Sequence, residues 1–324
     1  MIYVNVLVLL VSFVIMFKCA DFFIRGASGI AELFNIPKLI AGIVLVGLAT
    51  TAPEFGVSVI AAIMGHSEIA LGNAIGSVIA DDGIALALAG IVAPTAILVN
   101  CRILKRVGIF LIVIDFTAYF LARNGMISRW EGLFFIGILV LYFIVLARFR
   151  SFFGVEGDTP QPDIGDRSAS RMNKLKKPLL LFLIGLIGVI VSSRFGVIWA
   201  ALRIAEHFEV SQTIIGLTVI AIGTSLPEIS TCITAALKGE GELAVGDILG
   251  ADILNVLWII GAAAVANPIQ VEVDVINFTF PFMILVVVVM LVSLRVGCRL
   301  TKAKGFLLLF LYVLYFFLTI KFFM

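Results

Sequence analysis

The sequence predicts an all-α polytopic membrane protein, with ten transmembrane helices arranged as two inverted five-helix repeats. Three observations predict it. The chain is 62% hydrophobic and only 14% charged over 324 residues, with a mean hydropathy of +1.19, which excludes an ordinary soluble domain. Its apolar runs recur at the length of a bilayer crossing, roughly 20 residues. One stretch, residues 42–83, also occurs twice: moved along by 174 positions it falls on residues 216–257 without a gap.

The first span begins near Tyr3 and is expected to run as one long tilted helix to about Phe34. It lacks a basic leader and a small-residue cleavage site, so it reads as a retained span and not a cleaved signal. Spans two and three are the first repeat, about 39–64 and 68–94. Spans four and five fall near 103–122 and 131–149. Residues 150–177, rich in Asp, Pro, Ser and Lys, read as a linker between a first half (1–149) and a second half (178–324). Span six begins at Pro178 and reaches toward Phe208. Spans seven and eight are the second repeat, about 212–237 and 242–266, and spans nine and ten lie near 275–297 and 304–323. Five spans per half is an odd number, so the halves enter the membrane from opposite sides.

Lysine and arginine set the orientation. One side carries Arg102, Lys105, Arg106, Arg148, Arg150, the group from Arg167 to Lys177, and then Arg295, Arg299, Lys302 and Lys304. The other carries little beyond Arg123, Arg129, Arg194, Arg203 and Lys321. The rich side is expected to be cytoplasmic. That places the linker inside the cell and both termini outside, in what is expected to be the cell membrane. The four cysteines, Cys19, Cys101, Cys232 and Cys298, are scattered without a CxxC pair and read as small apolar residues, neither a disulfide framework nor a metal site. His66 and His207 stand alone near span ends and read as solvated.

The chemistry is concentrated in the repeats. Thr50 meets Thr224, Pro53 meets Pro227 and Glu54 meets Glu228; Gly72 and Gly76 meet Gly246 and Gly250. A lone acid in an apolar run has many bland explanations. The same acid in the same place in both halves reads as a site built by symmetry at the midplane. Each glutamate follows a proline, which removes a helix hydrogen bond and frees carbonyl oxygens about one turn back. Thr50 and Glu54 share a helix face, as do Thr224 and Glu228. Ser77 and Asp81 share a face of span three, and their mates are Ala251 and Asn255. Asp82 points away around the same helix. Asp247, mate of Asn73, reads as a clamp on the opposite broken helix, and Asp115 as a structurally paired acid. Glycines four apart allow close helix approach.

GTSLPE in the second copy and TTAPE in the first, each followed by a G-N/D-x-x-G-S/A run, resemble the alpha repeats of the calcium/cation antiporter superfamily, which includes the sodium/calcium exchangers. The resemblance covers both repeats and, more loosely, the whole layout. It implies that Glu54, Asp81, Glu228 and Asn255 form a diamond of ion ligands. Thr50, Thr51, Ser77, Thr224 and Ser225, with backbone oxygens of Gly47 and Ala221, would complete it. An all-oxygen set suits hard cations such as Ca²⁺ and Na⁺. Relatives carry Asn and Asp in various combinations at the third and fourth positions; here the acid is Asp81 and the amide is Asn255. Ala251 also lacks the hydroxyl of its mate Ser77, which removes one oxygen from that side.

The expected activity is secondary-active antiport of Ca²⁺ against Na⁺ by alternating access; the alternative is antiport of H⁺ against Ca²⁺ or another divalent cation. Three carboxylates in a low-dielectric site repel one another, and either one Ca²⁺ or several Na⁺ relieve that repulsion. Spans one and six are expected to slide across a rigid core. The expected partners are the lipid bilayer and inorganic cations; the reading calls for no cofactor, nucleic acid, obligatory protein partner or enzyme activity. A passive cation channel would use similar ligands but normally builds its filter around an axis shared by subunits. An intramembrane aspartyl protease would need a GxGD motif, and the nearest stretch, residues 244–247, lacks the first glycine.

Overall fold

The computed structural model describes residues 2–65, 67–148, 167–192, 195–196, 199–200, 203–204, 223 and 225–323. Thr224, Ala221, His66, His207, most of the linker, the end of span six and the start of span seven lie outside the described residues.

The chain is built from helices. α1 (Ile2–Leu33) is one unbroken helix, matching the single long span expected from Tyr3 to about Phe34. The first repeat follows as α2 (Lys38–Ala41), a wide π-helical turn (Gly42–Val46) and α3 (Gly47–Ile63). The two arms Lys38–Ala52 and Glu54–Ile63 meet at 47°, so the bend falls at Pro53, where the ring removes a helix hydrogen bond. The return limb is α4 (Ser67–Ala80), a second π turn (Asp81–Leu86) and α5 (Ala87–Val92). Then come β1 (Ile97–Leu98), α6 (Cys101–Ala122), β2 (Met126–Ile127) and α7 (Arg129–Arg148).

α8 (Arg167–Ser192) begins well before Pro178 and carries that proline inside it. Hydropathy put the start of span six at Pro178 because the preceding turns are polar. They are nevertheless good helix formers, and they extend the helix beyond its apolar length. α9 (Leu226–Leu237) has Pro227 in its first turn, where a missing N–H costs nothing. α10 (Gly241–Leu254), a π turn (Asn255–Ile260) and α11 (Gly261–Ala266) follow, then β3 (Ile269–Gln270). A π turn (Val275–Thr279), α12 (Phe280–Arg295), β4 (Arg299–Leu300) and α13 (Lys302–Phe323) complete the chain.

Among the described residues, seven helices are long and apolar enough to cross a membrane, or eight if the bent pair of the first repeat is one span. α6 is long enough but carries Lys105, Arg106 and Asp115 within its length. The limbs Ile69–Val92 and Gly241–Ala266 are mostly buried, whereas α8 and α13 leave their apolar lengths largely exposed. The return limbs of the two repeats therefore form the centre, and the outer helices present leucine and phenylalanine outward.

Two short ribbons tie the halves together. β1 pairs antiparallel with β4, Ile97 opposite Leu300, and β2 pairs with β3, Ile127 opposite Ile269. The first ribbon also brings together Cys101 and Cys298, which form a disulfide with Cα atoms 5.4 Å apart. This corrects the reading of all four cysteines as unpaired; only Cys19 and Cys232 are free. Their separation of 197 residues hid the pair, because only the ribbon makes them neighbours.

The central packing depends on a few glycines. A Cβ on Gly246 would overlap the Leu39 carbonyl oxygen, and one on Gly42 would overlap that of Leu243. Glycine at both positions lets α10 lie backbone to backbone on the start of the first repeat. α1 and α8 form a second close pair, in which Gly26 meets the Phe182 backbone and Gly185 meets that of Phe23. Met16, Ala20 and Val189 of this pair, with Leu226, make a small cluster separate from the main core.

Candidate cation site

Close approach at Gly42 and Gly246 puts the bend of α3 against α10. The bend presents Thr50, Thr51 and Glu54; α9 presents Glu228, with Ser225 just before its first turn. Ser77 projects from the end of α4. Asp81 and Asn255 are the first residues of the two wide π turns, which occupy corresponding places in the two repeats. A π turn carries one extra residue, which re-aims the side chains at its start. Sequence periodicity gave no sign of these turns.

All eight of these side chains are buried, none more than 4% exposed. The carboxyl groups of Glu54, Asp81 and Glu228 are near enough for their charges to interact across the two repeats. The decisive feature is what these oxygens lack. Thr51 Oγ1, both carboxylate oxygens of Glu54, Ser77 Oγ, Asp81 Oδ1, Ser225 Oγ, Glu228 Oε2 and Asn255 Oδ1 are buried without a hydrogen-bond partner. Each such atom costs about 1–3 kcal/mol unless something else pairs with it. An oxygen-lined group drawn from both repeats that leaves so many of its side-chain oxygens unpaired is chemically suited to a hard cation. Acids alone do not make the site: among the described residues no three acidic, Cys or His side chains are grouped closely enough to hold a metal. Hydroxyl and amide oxygens must complete the shell.

The comparisons with known proteins agree with that chemistry. The family model described as "Sodium/calcium exchanger protein" matches twice, over residues 4–148 and 177–321. The chain belongs to the sodium/calcium exchanger protein family. This exchanger-family chain is 34% identical over 267 residues to the inner membrane protein YrbG of Escherichia coli, covering 82% of this chain and 80% of that one. It is 26% identical over 344 residues to the sodium/calcium exchanger MaX1 of Methanosarcina acetivorans, covering 97% of each. Its fold matches solved structures of the sodium-calcium exchanger NCX_Mj with a TM-score of 0.81 at 23% identity, over 97% of this chain and 98% of that one.

Of the residues the sequence singled out in this exchanger-family chain, the structure brings together Thr50, Glu54, Asp81, Ser225 and Glu228, while Thr51, Ser77 and Asn255 are buried with an unpartnered side-chain oxygen each. Gly47 is beside them, its carbonyl oxygen 3.3 Å from the Thr50 hydroxyl. Asp247 lies closer to this group than the sequence suggested. Its Oδ1 accepts from Thr50 at 3.1 Å and its Oδ2 from Thr231 at 2.9 Å, and its charge reaches Glu54, Asp81 and Glu228. Thr231 and Cys232 were not singled out. The mate relation could have found Cys232: Asn73 donates to Ser58 at 3.0 Å, and Cys232, the mate of Ser58, approaches Asp247 at 3.7 Å.

Asp82 is turned away from the group, as helix geometry predicts, and faces Asp252, with Asp115 of α6 beside it. All three are fully buried. Asp115 therefore stands with other acids. Phe55, next to Glu54, stacks on Trp258 of the π turn Asn255–Ile260 at 4.1 Å between ring centres, which ties the bend of one repeat to the return limb of the other.

Proposed function

We propose that the chain is a secondary-active antiporter that exchanges Ca²⁺ for Na⁺, the transported cations being held by Glu54, Glu228, Asp81 and Asn255. The oxygens of Thr50, Thr51, Ser77, Thr224, Ser225, Gly47 and Ala221 complete the shell. The observation that carries this is the set of buried, unpartnered oxygens contributed by both repeats. Glu54 and Glu228 together balance one Ca²⁺, and several Na⁺ compete for the same oxygens. No cofactor is required; the cations are the cargo.

The reading includes ten spans in two inverted five-span halves, 1–149 and 178–324, joined by a cytoplasmic linker at 150–177, with both termini outside the cell membrane. The ribbons support it. β1 and β3 follow the return limbs of the first and second repeats, while β2 and β4 each follow the next long helix. The pairs β1·β4 and β2·β3 are what a two-fold relation between the halves requires. The close α1–α8 pair, with its separate cluster, supports sliding of spans one and six as a unit against the core.

Proton coupling is the second reading. It is favoured by Asp82, Asp115 and Asp252, buried acids next to the site that no basic group among the described residues is seen to neutralise. Calcium uptake into proteoliposomes under an imposed Na⁺ or H⁺ gradient tests both. Uptake driven by outward Na⁺ supports the first, uptake driven only by H⁺ the second, and uptake that follows voltage without any counter-ion gradient would overturn antiport.

A further inference from the structure

We propose that Asp247 is a positioning residue of the cation site: it accepts the Thr50 hydroxyl proton and so leaves the Thr50 oxygen available to the cation. The inference rests on the exchange-site reading above and assigns a residue that the ligand diamond does not include.

A threonine hydroxyl has one proton and two lone pairs. Thr50 has three acceptors within reach: Asp247 Oδ1 at 3.1 Å, the Val46 carbonyl at 3.2 Å and the Gly47 carbonyl at 3.3 Å. It also lies within reach of the Glu228 carboxylate. Thr50 therefore has two carboxylates nearby, one inside the ligand diamond and one outside it. When a cation is held by Glu228, a Thr50 proton directed at Glu228 would point at the cation and repel it. The proton has to turn away. A carboxylate is a stronger acceptor than a helix carbonyl, and Asp247 is the nearest acceptor.

Asp247 is itself held firmly enough to do this. Its second oxygen is fixed by Thr231 of α9 at 2.9 Å, the Cys232 thiol lies 3.7 Å away, and the side chain is fully buried. Its backbone is pressed onto the first repeat through Gly47, where a Cβ would lie 3.3 Å from the Asp247 carbonyl oxygen. The carboxylate thus joins a hydroxyl of the first repeat to one of the second. The mate position carries Asn73, whose amide donates to Ser58. An amide at 247 has only one acceptor oxygen for two hydroxyls. One of Thr50 and Thr231 would then have to accept from the amide; where that is Thr50, one of its two lone pairs is taken and its proton loses its carboxylate acceptor.

The test is a double-mutant cycle on calcium transport in proteoliposomes with Asp247→Asn and Thr50→Val. Asp247→Asn is expected to raise the apparent KM for Ca²⁺ about tenfold, with the maximal rate kept within about twofold and the cation-free Tm unchanged. In the Thr50→Val background the same substitution is expected to raise KM by less than about twofold, because the oxygen it positions is gone. Asp247→Glu, which keeps both acceptor oxygens, is expected to recover part of the lost affinity. An equal KM rise in both backgrounds, or a loss of Tm and maximal rate without a KM change, would overturn the proposal. If Asp247→Asn fails to fold, direct Ca²⁺ binding to Asp247→Glu and Thr231→Ala decides: an unaltered hierarchy, with Thr231→Ala as damaging as Thr50→Val, also overturns it. Failure of the exchange reading would instead show in the wild type, as no counter-ion-dependent uptake.

Discussion

Replacing Glu54 or Glu228 with glutamine tests the site at its centre. Both glutamates are 2% exposed, and Glu54 Oε1 and Oε2 and Glu228 Oε2 lack protein partners. Their proposed role is to supply two negative charges to a divalent ion. Glutamine keeps the shape and one oxygen but removes a charge. Breaking one partner of a buried charge pair costs about 3–5 kcal/mol. At about 1.4 kcal/mol per decade, the Kd for Ca²⁺ should rise roughly 100- to 4,000-fold. The fold should survive, because glutamine also removes a buried carboxylate whose oxygens have no protein partner. The Tm measured without added cation is therefore expected to equal or exceed that of the wild type. Calorimetric Ca²⁺ binding and radioactive calcium uptake in proteoliposomes give the two readouts. If either variant binds Ca²⁺ within threefold of the wild type, the shared-charge argument is wrong. If one variant fails and the other does not, the two repeats do not contribute to one site.

Asp81→Asn should leave Ca²⁺ binding within about fivefold of the wild type, since Glu54 and Glu228 already balance the ion, while weakening the counter-ion that relies on the third charge; loss of Ca²⁺ binding as complete as in Glu54→Gln would make Asp81 a full calcium ligand instead. Gly246→Ala should lower Tm by several degrees, because overpacking costs about 1–3 kcal/mol and the new methyl would meet the Leu39 carbonyl. Gly137→Ala, on the exposed face of α7 with nothing within 4 Å of an added Cβ, should instead stabilise by up to about 1 kcal/mol, so thermal melts that rank the two variants the other way would contradict the packing described here. For topology, a single cysteine at Ser168 in an otherwise cysteine-free chain should react with an impermeant thiol reagent only from the cytoplasmic side; labelling in intact cells would reverse the orientation.

Much of this protein was legible in one dimension because two strong signals act locally. The bilayer requires apolar runs of a set length, so α1, α7, α12 and α13 follow hydropathy to within a few residues. Duplication writes the site twice, so Glu54 and Glu228 identify each other without any knowledge of contacts, and Pro53 marks the bend of α3 through its own missing N–H. Where hydropathy and helix propensity diverge, as in the polar first turns of α8, the sequence placed the boundary late.

Other features depend on which parts of the two halves touch, and only the tertiary structure decided them. The π turns at Asp81 and Asn255 insert a residue for reasons of packing, which leaves no mark on periodicity. Cys101 and Cys298 became a pair because β1 met β4, and Asp115 joined Asp82 and Asp252 because α6 packs on the return limb of the second repeat. Asp247 found its partners for the same reason. Its position along α10 is set by the sequence, but its place between Thr50 and Thr231 exists only because Gly42 and Gly246 let the two repeats approach until their backbones meet.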